Sequence, residues 1–219
     1  MRARWWIPAV VMLLVVVGVV AFLVGQSNPD QAQPAPVVPP VASSAPATQP
    51  ANDCGLRWDH APDGTPVPTS PCYGPHQQGY GLASGFTQNA MGAVIASVNL
   101  GARLASAAGE AVYTPTLQRQ TVGDYQETLS QLQTQSSDAT PGDAIPQEWF
   151  WRISAGSPES GLVTVDLAAR TKQASELGGF GALTYTLQWN QGDWKVTLPL
   201  PKARIIQSTA GYQSLGEVQ

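Results

Sequence analysis

The stretch SGFTQNAMGAVIASVNLGARLASAAGEAV, residues 84–112, carries no formal charge before Arg103. It lies in a chain whose first residues already read as a membrane segment, so it is either a second span or the main helix of a domain outside the membrane. Helical spacing begins near Phe86, with Ser84 or Thr87 placed to cap it. At 100° per residue Phe86, Ala90, Ala93, Val94, Gly101 and Leu104 share one arc, and Gln88, Asn89, Asn99 and Arg103 fall opposite. Lipid would leave that amide stripe without partners at high cost. The pattern therefore predicts an amphipathic core helix, rich enough in Gly and Ala for another element to approach its backbone closely.

Residues 5–24, WWIPAVVMLLVVVGVVAFLV, hold no charge over twenty positions, the length a helix needs to cross the hydrocarbon layer. Arg2 and Arg4 precede the run and no Lys or Arg follows before Arg57. The positive-inside rule then places residues 1–4 in the cytoplasm and the rest of the chain outside. A cleaved signal peptide is the competing reading; its apolar region is usually about 7 to 15 residues and ends at a small-x-small site. The longer run, followed by GQSNPDQ, favours an uncleaved signal-anchor in the cell membrane.

Residues 25–52 contain seven prolines and a single charge, Asp30. Such a composition gives either an extended spacer or a disordered linker. What remains, Asp53 to Gln219, is long enough for one domain with its own core. Setting aside Asp30 among the fifteen acidic residues, and Arg2 and Arg4 among the eleven basic ones, leaves 14 against 9. A net charge near −5 with no Lys/Arg cluster argues against nucleic acid as a direct ligand, because phosphate binding draws on several neighbouring cations.

Cys54 and Cys72 are the two cysteines, both on the outer side by topology, where disulfides persist. Pairing them would staple the lead-in of residues 53–83, a segment with too many prolines for a helix or a central strand. A zinc site from Cys54, His60, Cys72 and His76 is the alternative, but the spacings differ from the usual paired ligands. No metal or cofactor is expected. No nucleophile elbow, Ser-x-x-Lys pair, His-Glu-x-x-His helix or phosphate-cradling loop is present. Glu110, Asp124, Glu148 and Asp166 are scattered carboxylates, so no catalytic residue is assigned and the chain is not read as an enzyme.

Beyond the first helix, Thr114 and Pro115 mark a second helix start, Gly123 a break, and residues 124–135 a third helix with Tyr125, Leu129 and Leu132 on one face. The period then changes to two. QEWFWRIS (147–154), GLVTVDLAAR (161–170), GALTYTLQWN (181–190) and DWKVTLPL (193–200) read as strands, the last two joined at Gln191-Gly192. Trp149, Trp151, Trp189 and Trp194 could line a ligand cleft, although tryptophan on strands usually builds core. The residues after 203 are expected to give one short strand or turn, with 213–219 as a frayed tail. Helices first and antiparallel strands afterwards define an α+β domain over residues 53–212.

Four stretches carry a resemblance: SGFTQNAMGAVIASVNLGAR (84–103), YTPTLQRQTVG (113–123), WFWRISA (149–155) and AGY (210–212). They resemble an uncharacterised family of membrane proteins from actinobacterial conjugative and integrative elements. In the order of its elements the domain also looks like the nuclear-transport-factor-2-like cone, a curved antiparallel sheet packed on N-terminal helices. A single-span anchor before such a cone is similar to the bitopic assembly factors of type IV secretion systems. The resemblance implies a membrane-anchored extracytoplasmic scaffold of a conjugative secretion apparatus, contacting other envelope proteins or further copies of itself. Because cone folds also bind ligands and catalyse reactions, two rivals follow. One is a module for a cell-wall fragment or lipid; the other is an envelope enzyme using carboxylates in the cone pocket.

Overall fold

Why residues 84–112 do not form one long helix is visible in their termini. In the computed structural model, which describes residues 54–135 and 142–218, the helix begins only at Ala90, because Asn89 rather than Ser84 or Thr87 is the cap: its side chain accepts the Gly92 N–H at 2.8 Å. This helix, α1 (Ala90–Arg103), ends at Leu104, and a 3₁₀ turn over Ser106–Ala108 leads to Gly109 at φ +83°. Fourteen helical residues cannot span a bilayer. Among the described residues no helix is long and apolar enough to do so, and the expected span at 5–24 and the proline-rich linker lie outside the described residues.

Two small hairpins precede α1: β1 (Arg57–His60) with β2 (Pro66–Thr69), and β3 (Gln77–Gly79) with β4 (Leu82–Ser84). Prolines at 66 and 68 are tolerated because this is a two-stranded ribbon rather than a central strand. After α1 come α2 (Glu110–Gln120), β5 (Thr121–Val122) and α3 (Gln126–Thr134). Helix α2 corrects the expected start at Thr114: Pro115 lies inside the helix, which begins four residues earlier at Glu110 and buries Tyr113 and Leu117. The missing N–H of Pro115 removes one rung of the ladder, and Thr116 Oγ1 bonds back to the Val112 carbonyl at 2.8 Å.

The remaining elements are β6 (Glu148–Ser157), β7 (Leu162–Arg170), α4 (Lys172–Glu176), β8 (Phe180–Asn190), β9 (Asp193–Thr197), β10 (Arg204–Ile206) and β11 (Gln213–Glu217). One curved seven-stranded sheet runs β11-β6-β7-β8-β9-β5, with β10 also paired to β8. It is antiparallel except for the short parallel pair of β5 with β9. Register shifts between Ile153 and Ala155 and between Ser214 and Gly216 are bulges of the kind that bend strands. The residues expected as a frayed tail thus form the edge strand β11 on β6. To reach it from β10, on the β8 side, the chain crosses the outer face of the sheet. There the Arg152 guanidinium sits 4.5 Å from the centre of the Tyr212 ring.

The last predicted strand is also shorter than expected. Val196 pairs with Leu187 and Arg204 with Ala182, so eight steps along the edge chain accompany five along β8. The surplus sits at Leu198-Pro199-Leu200-Pro201, where two residues lack the N–H that a strand needs. The edge chain therefore leaves β8 beside Leu183 and Tyr185.

Val163, Val165 and Leu167 of β7, Leu187 of β8 and Trp194 and Val196 of β9 form the inner face, closed to solvent against α1. Helix α1 is not amphipathic in its setting. Asn99 is 0% and Arg103 3% exposed, because the stripe read as a water-facing side is covered by the two hairpins. Asn99 Nδ2 donates to the Pro68 carbonyl at 2.8 Å, and Arg103 Nε to the Gly81 carbonyl at 3.0 Å. Burial pushes the Arg103 pKa down, and Asp59 and Asp63 pull it back up. The polar side of the helix is the glue for the segment that the disulfide staples.

Candidate functional site

The departure of the edge chain from β8 leaves space between α1 and the inner face of the sheet. Three hollows meet at Leu183. The first, about 450 Å³, lies between β7, β8, α4 and β10, with Trp149, Ala169, Ala174, Leu177 and Ile205 in its wall. The second, about 210 Å³, is bounded by Ser97 and Gly101 of α1, Asp63 and Thr65 of the β1–β2 turn, and Tyr185. A third, about 500 Å³, opens between α1, α3 and the Leu200–Ala203 bulge. Leu177 and Ile205, 64% and 40% exposed, stand on the rim of the first.

Tyr185 lies where the second and third hollows join. Its ring packs so close to α1 that a methyl group at Gly101 would collide with the hydroxyl. The side chain is buried and its pKa is driven upward by burial, so it is a neutral donor, and no side-chain or backbone acceptor among the described residues takes its proton. Asp63, in the same hollow, accepts from Thr65 twice, from N–H at 2.9 Å and from Oγ1 at 2.7 Å. The first hollow is mostly apolar, and the Tyr185 hydroxyl stands without an acceptor among the described residues where the other two join.

The residues singled out in the sequence are not brought together at this groove. Cys54 and Cys72 are joined in a disulfide, so their sulfurs are not thiolate ligands, and His60, at the end of β1, and His76, just before β3, are exposed. Glu110 accepts from Gln133 at 2.9 Å and Asp124 caps the Gln126 N–H at 3.0 Å. Glu148 pairs with Arg170 at 2.7 Å. Asp166 lies on the outer face between Arg152 Nε at 2.9 Å and Thr184 Oγ1 at 2.7 Å. Burial raises its pKa, but the hydrogen bonds of Thr184 and Arg152 and the charges of Arg152 and Arg204 outweigh that and hold it below the usual range. These are structural contacts.

Of the tryptophans, Trp194 is fully enclosed and donates to the Thr87 carbonyl at 2.8 Å, and Trp149 donates to the Pro66 carbonyl at 3.2 Å while one side borders the groove. Trp189 meets Trp194 edge to face at 5.3 Å. Sequence reasoning missed Tyr185, Leu183 and Gly101 as groove residues. The signal available was the Leu-Pro-Leu-Pro interruption, which says that a strand stops pairing but not what lies beneath it.

Residues 22–217 match a family described as a domain of unknown function, DUF8175, and the chain belongs to that family. No curated protein and no solved structure matches it.

Proposed function

We propose that this member of the DUF8175 family is a membrane-anchored, extracytoplasmic binding module of the cell envelope, with the groove beneath the sheet taking a small and mostly apolar molecule such as a lipid. The single observation that supports this is the junction of three hollows at Leu183 and Tyr185. Two of them, about 450 and 500 Å³, fall in the range of ligand sites, about 300–1,000 Å³, and the hollow between them adds about 210 Å³. The unused Tyr185 hydroxyl would donate to a carbonyl or carboxylate of the ligand, and the walls would exclude water from its body. Catalysis is not part of the reading.

The test uses full-length protein in detergent with the fluorescent apolar probe 1-anilinonaphthalene-8-sulfonate, displaced by oleate. Saturable probe binding that Leu183→Trp reduces at least fivefold, with the fold retained, is the expected result. Probe binding that is unsaturable, or equal in the variant, overturns the proposal.

The second reading is the scaffold of a conjugative secretion apparatus, in a cone of the nuclear-transport-factor-2 type. What favours it is the outer face, where Arg152 and Arg170 keep 43% and 42% of their side chains exposed and Leu162 is 51% exposed, a mixed surface suited to other envelope proteins or a second copy. In-cell crosslinking that captures neither excludes it.

A further inference from the structure

A polar cavity of about 470 Å³ lies far from the groove in kind and composition, between the tip of the β3–β4 hairpin, the end of α2 and the β8–β9 turn. Tyr80 stands at its edge, 99% exposed, with φ at +51°. It occupies the first central position of a two-residue turn closed by the Gly79–Leu82 pair and followed by Gly81 at φ +79°, where Asn, Asp or Gly is the usual occupant. An aromatic side chain held there costs about 1–2 kcal/mol in the left-handed region, and this ring buries nothing in return. The turn itself is fixed: Gly81 lies against Val112 with no room for a side chain, and its carbonyl accepts from Arg103 at 3.0 Å. A rigid hairpin thus holds a bare aromatic face in solvent, and a backbone outlier of this kind points to function.

The second observation is inside the cavity. Gln120 is 5% exposed, and its Nε2 donates to the Ala83 carbonyl. That bond fixes which end of the amide is which, and leaves Oε1 buried without a donor. An acceptor in this position costs about 1–3 kcal/mol until something donates to it. Around it stand Arg119, exposed at the last turn of α2, and Lys195, whose Nζ is 2.8 Å from Gln191 Oε1. Neither cation belongs to an ion pair among the described residues. The carboxylate in the wall, Asp193, turns both oxygens to backbone N–H groups.

An aromatic platform, a buried acceptor lacking a donor, and two cations outside any ion pair among the described residues form a complementary set. We propose that this cavity binds an anionic polysaccharide: a sugar ring stacks on Tyr80, one of its hydroxyls donates to Gln120 Oε1, and its acidic group meets Arg119 and Lys195. A ring with C–H bonds on its face suits an aromatic surface, and charge-assisted bonds hold the acid. Two cations on a net-acidic domain are too few to track a nucleic acid backbone. The inference is independent of the groove reading and survives its failure.

The experiment is calorimetric titration of the full-length protein in detergent at about 50 mM salt, where exposed charges are weakly screened. The probes are polygalacturonate, poly(glycerol phosphate) bearing sugar substituents, neutral dextran and polyglutamate. Binding of either anionic saccharide polymer, weakened at least tenfold in Tyr80→Gly and in Arg119→Ala and absent for dextran, is expected; which polymer binds identifies the acid as carboxylate or phosphodiester. Tyr80→Gly relieves the positive φ, so its melting temperature should hold or rise while binding falls, which a structural role for the ring would not give. Gln120→Leu should weaken binding and also lower the melting temperature, since it takes the Nε2 donor from the buried Ala83 carbonyl. Failure of both anionic saccharides to bind, binding unchanged in Tyr80→Gly, or equal binding of polyglutamate overturns the proposal, the last assigning the cavity to acidic peptides.

Discussion

Asp193 Oδ2 accepts the Gly85 N–H at 2.9 Å, joining residues 108 positions apart. Oδ1 takes the N–H groups of Phe86 at 3.0 Å and Trp194 at 2.9 Å. Beside them Trp194 Nε1 donates to the Thr87 carbonyl at 2.8 Å. The hairpin between β8 and β9 thereby grips the chain just before α1. This anchor ties the segment leading into the helix to the sheet, while the Asn89 cap sets where the helix starts. Burial raises the Asp193 pKa, and the three N–H groups and Lys195 offset part of the rise.

Replacing Asp193 with Ala should therefore cost about 2–4 kcal/mol, since each hydrogen bond to a charged group contributes about 1.5–3 kcal/mol and buried N–H groups are left unpaired. Urea denaturation reads the loss directly. Lys195→Ala, two positions along and with its ammonium in an exposed contact to Gln191, should stay within about 0.5 kcal/mol. Equal midpoints for wild type and Asp193→Ala would show that the anchor is dispensable.

Gly101 and Tyr185 should be energetically coupled. A methyl group at Gly101 meets the Tyr185 hydroxyl, so Gly101→Ala should destabilise by about 1–3 kcal/mol, the usual cost of overpacking. Tyr185→Phe removes the colliding atom along with a hydroxyl that has no protein acceptor, and should be close to neutral alone. In a double-mutant cycle the coupling should reach at least about 0.5 kcal/mol; strict additivity would mean that the ring and helix do not touch.

Asp166 gives a pH dependence with a definite sign. Its pKa in the fold lies below the usual carboxylate value because Thr184, Arg152 and Arg204 favour the ionised form more than burial opposes it. The folded state then binds this proton less readily than the unfolded chain. Its contribution to stability is complete above the unfolded value of about 3.9 and is lost as pH falls through the lower folded value. Asp166→Asn should be less stable than wild type at pH 7, with a shallower fall in stability on acidification below about pH 4. Parallel pH profiles for the two proteins would contradict this.

The Cys54–Cys72 bond closes a loop with a sequence separation of 18, for which chain entropy gives a stabilisation of about 3 kcal/mol. Reduction should lower the melting temperature, and hydrogen exchange should report the loss first in β1 and β2, whose backbones the bond clamps. Protection lost equally in β7 would place the bond's effect on the whole domain instead.

The elements legible in the sequence were those with long, clean periods. Strands β6, β7 and β8 alternate over about ten residues each, and Gln191-Gly192 announces its hairpin through φ values of +55° and +79°. The hairpins β1–β2 and β3–β4 were too short and too rich in Pro and Gly for any period to show. Helix α2 was misplaced because Pro115 has the look of a helix start, and only the core position of Tyr113 reveals that the helix begins earlier. Strand β11 was missed because Gln213-Ser214-Leu215-Gly216-Glu217 has weak strand propensity; its partner β6 makes it a strand.

By itself the sequence determined an α+β domain, the paired cysteines available for a staple, and α1 as its principal core helix, since these follow from local spacing, composition and the cost of unpaired polar groups. Only the tertiary structure decided that the polar stripe of α1 faces inward, that the Leu-Pro-Leu-Pro bulge opens a groove at Tyr185, and that Gln120, Arg119 and Tyr80 surround one cavity. Each of those depends on which distant backbone or side chain arrives opposite a residue. Asn99 looks like a surface residue until the Pro68 carbonyl arrives 2.8 Å away.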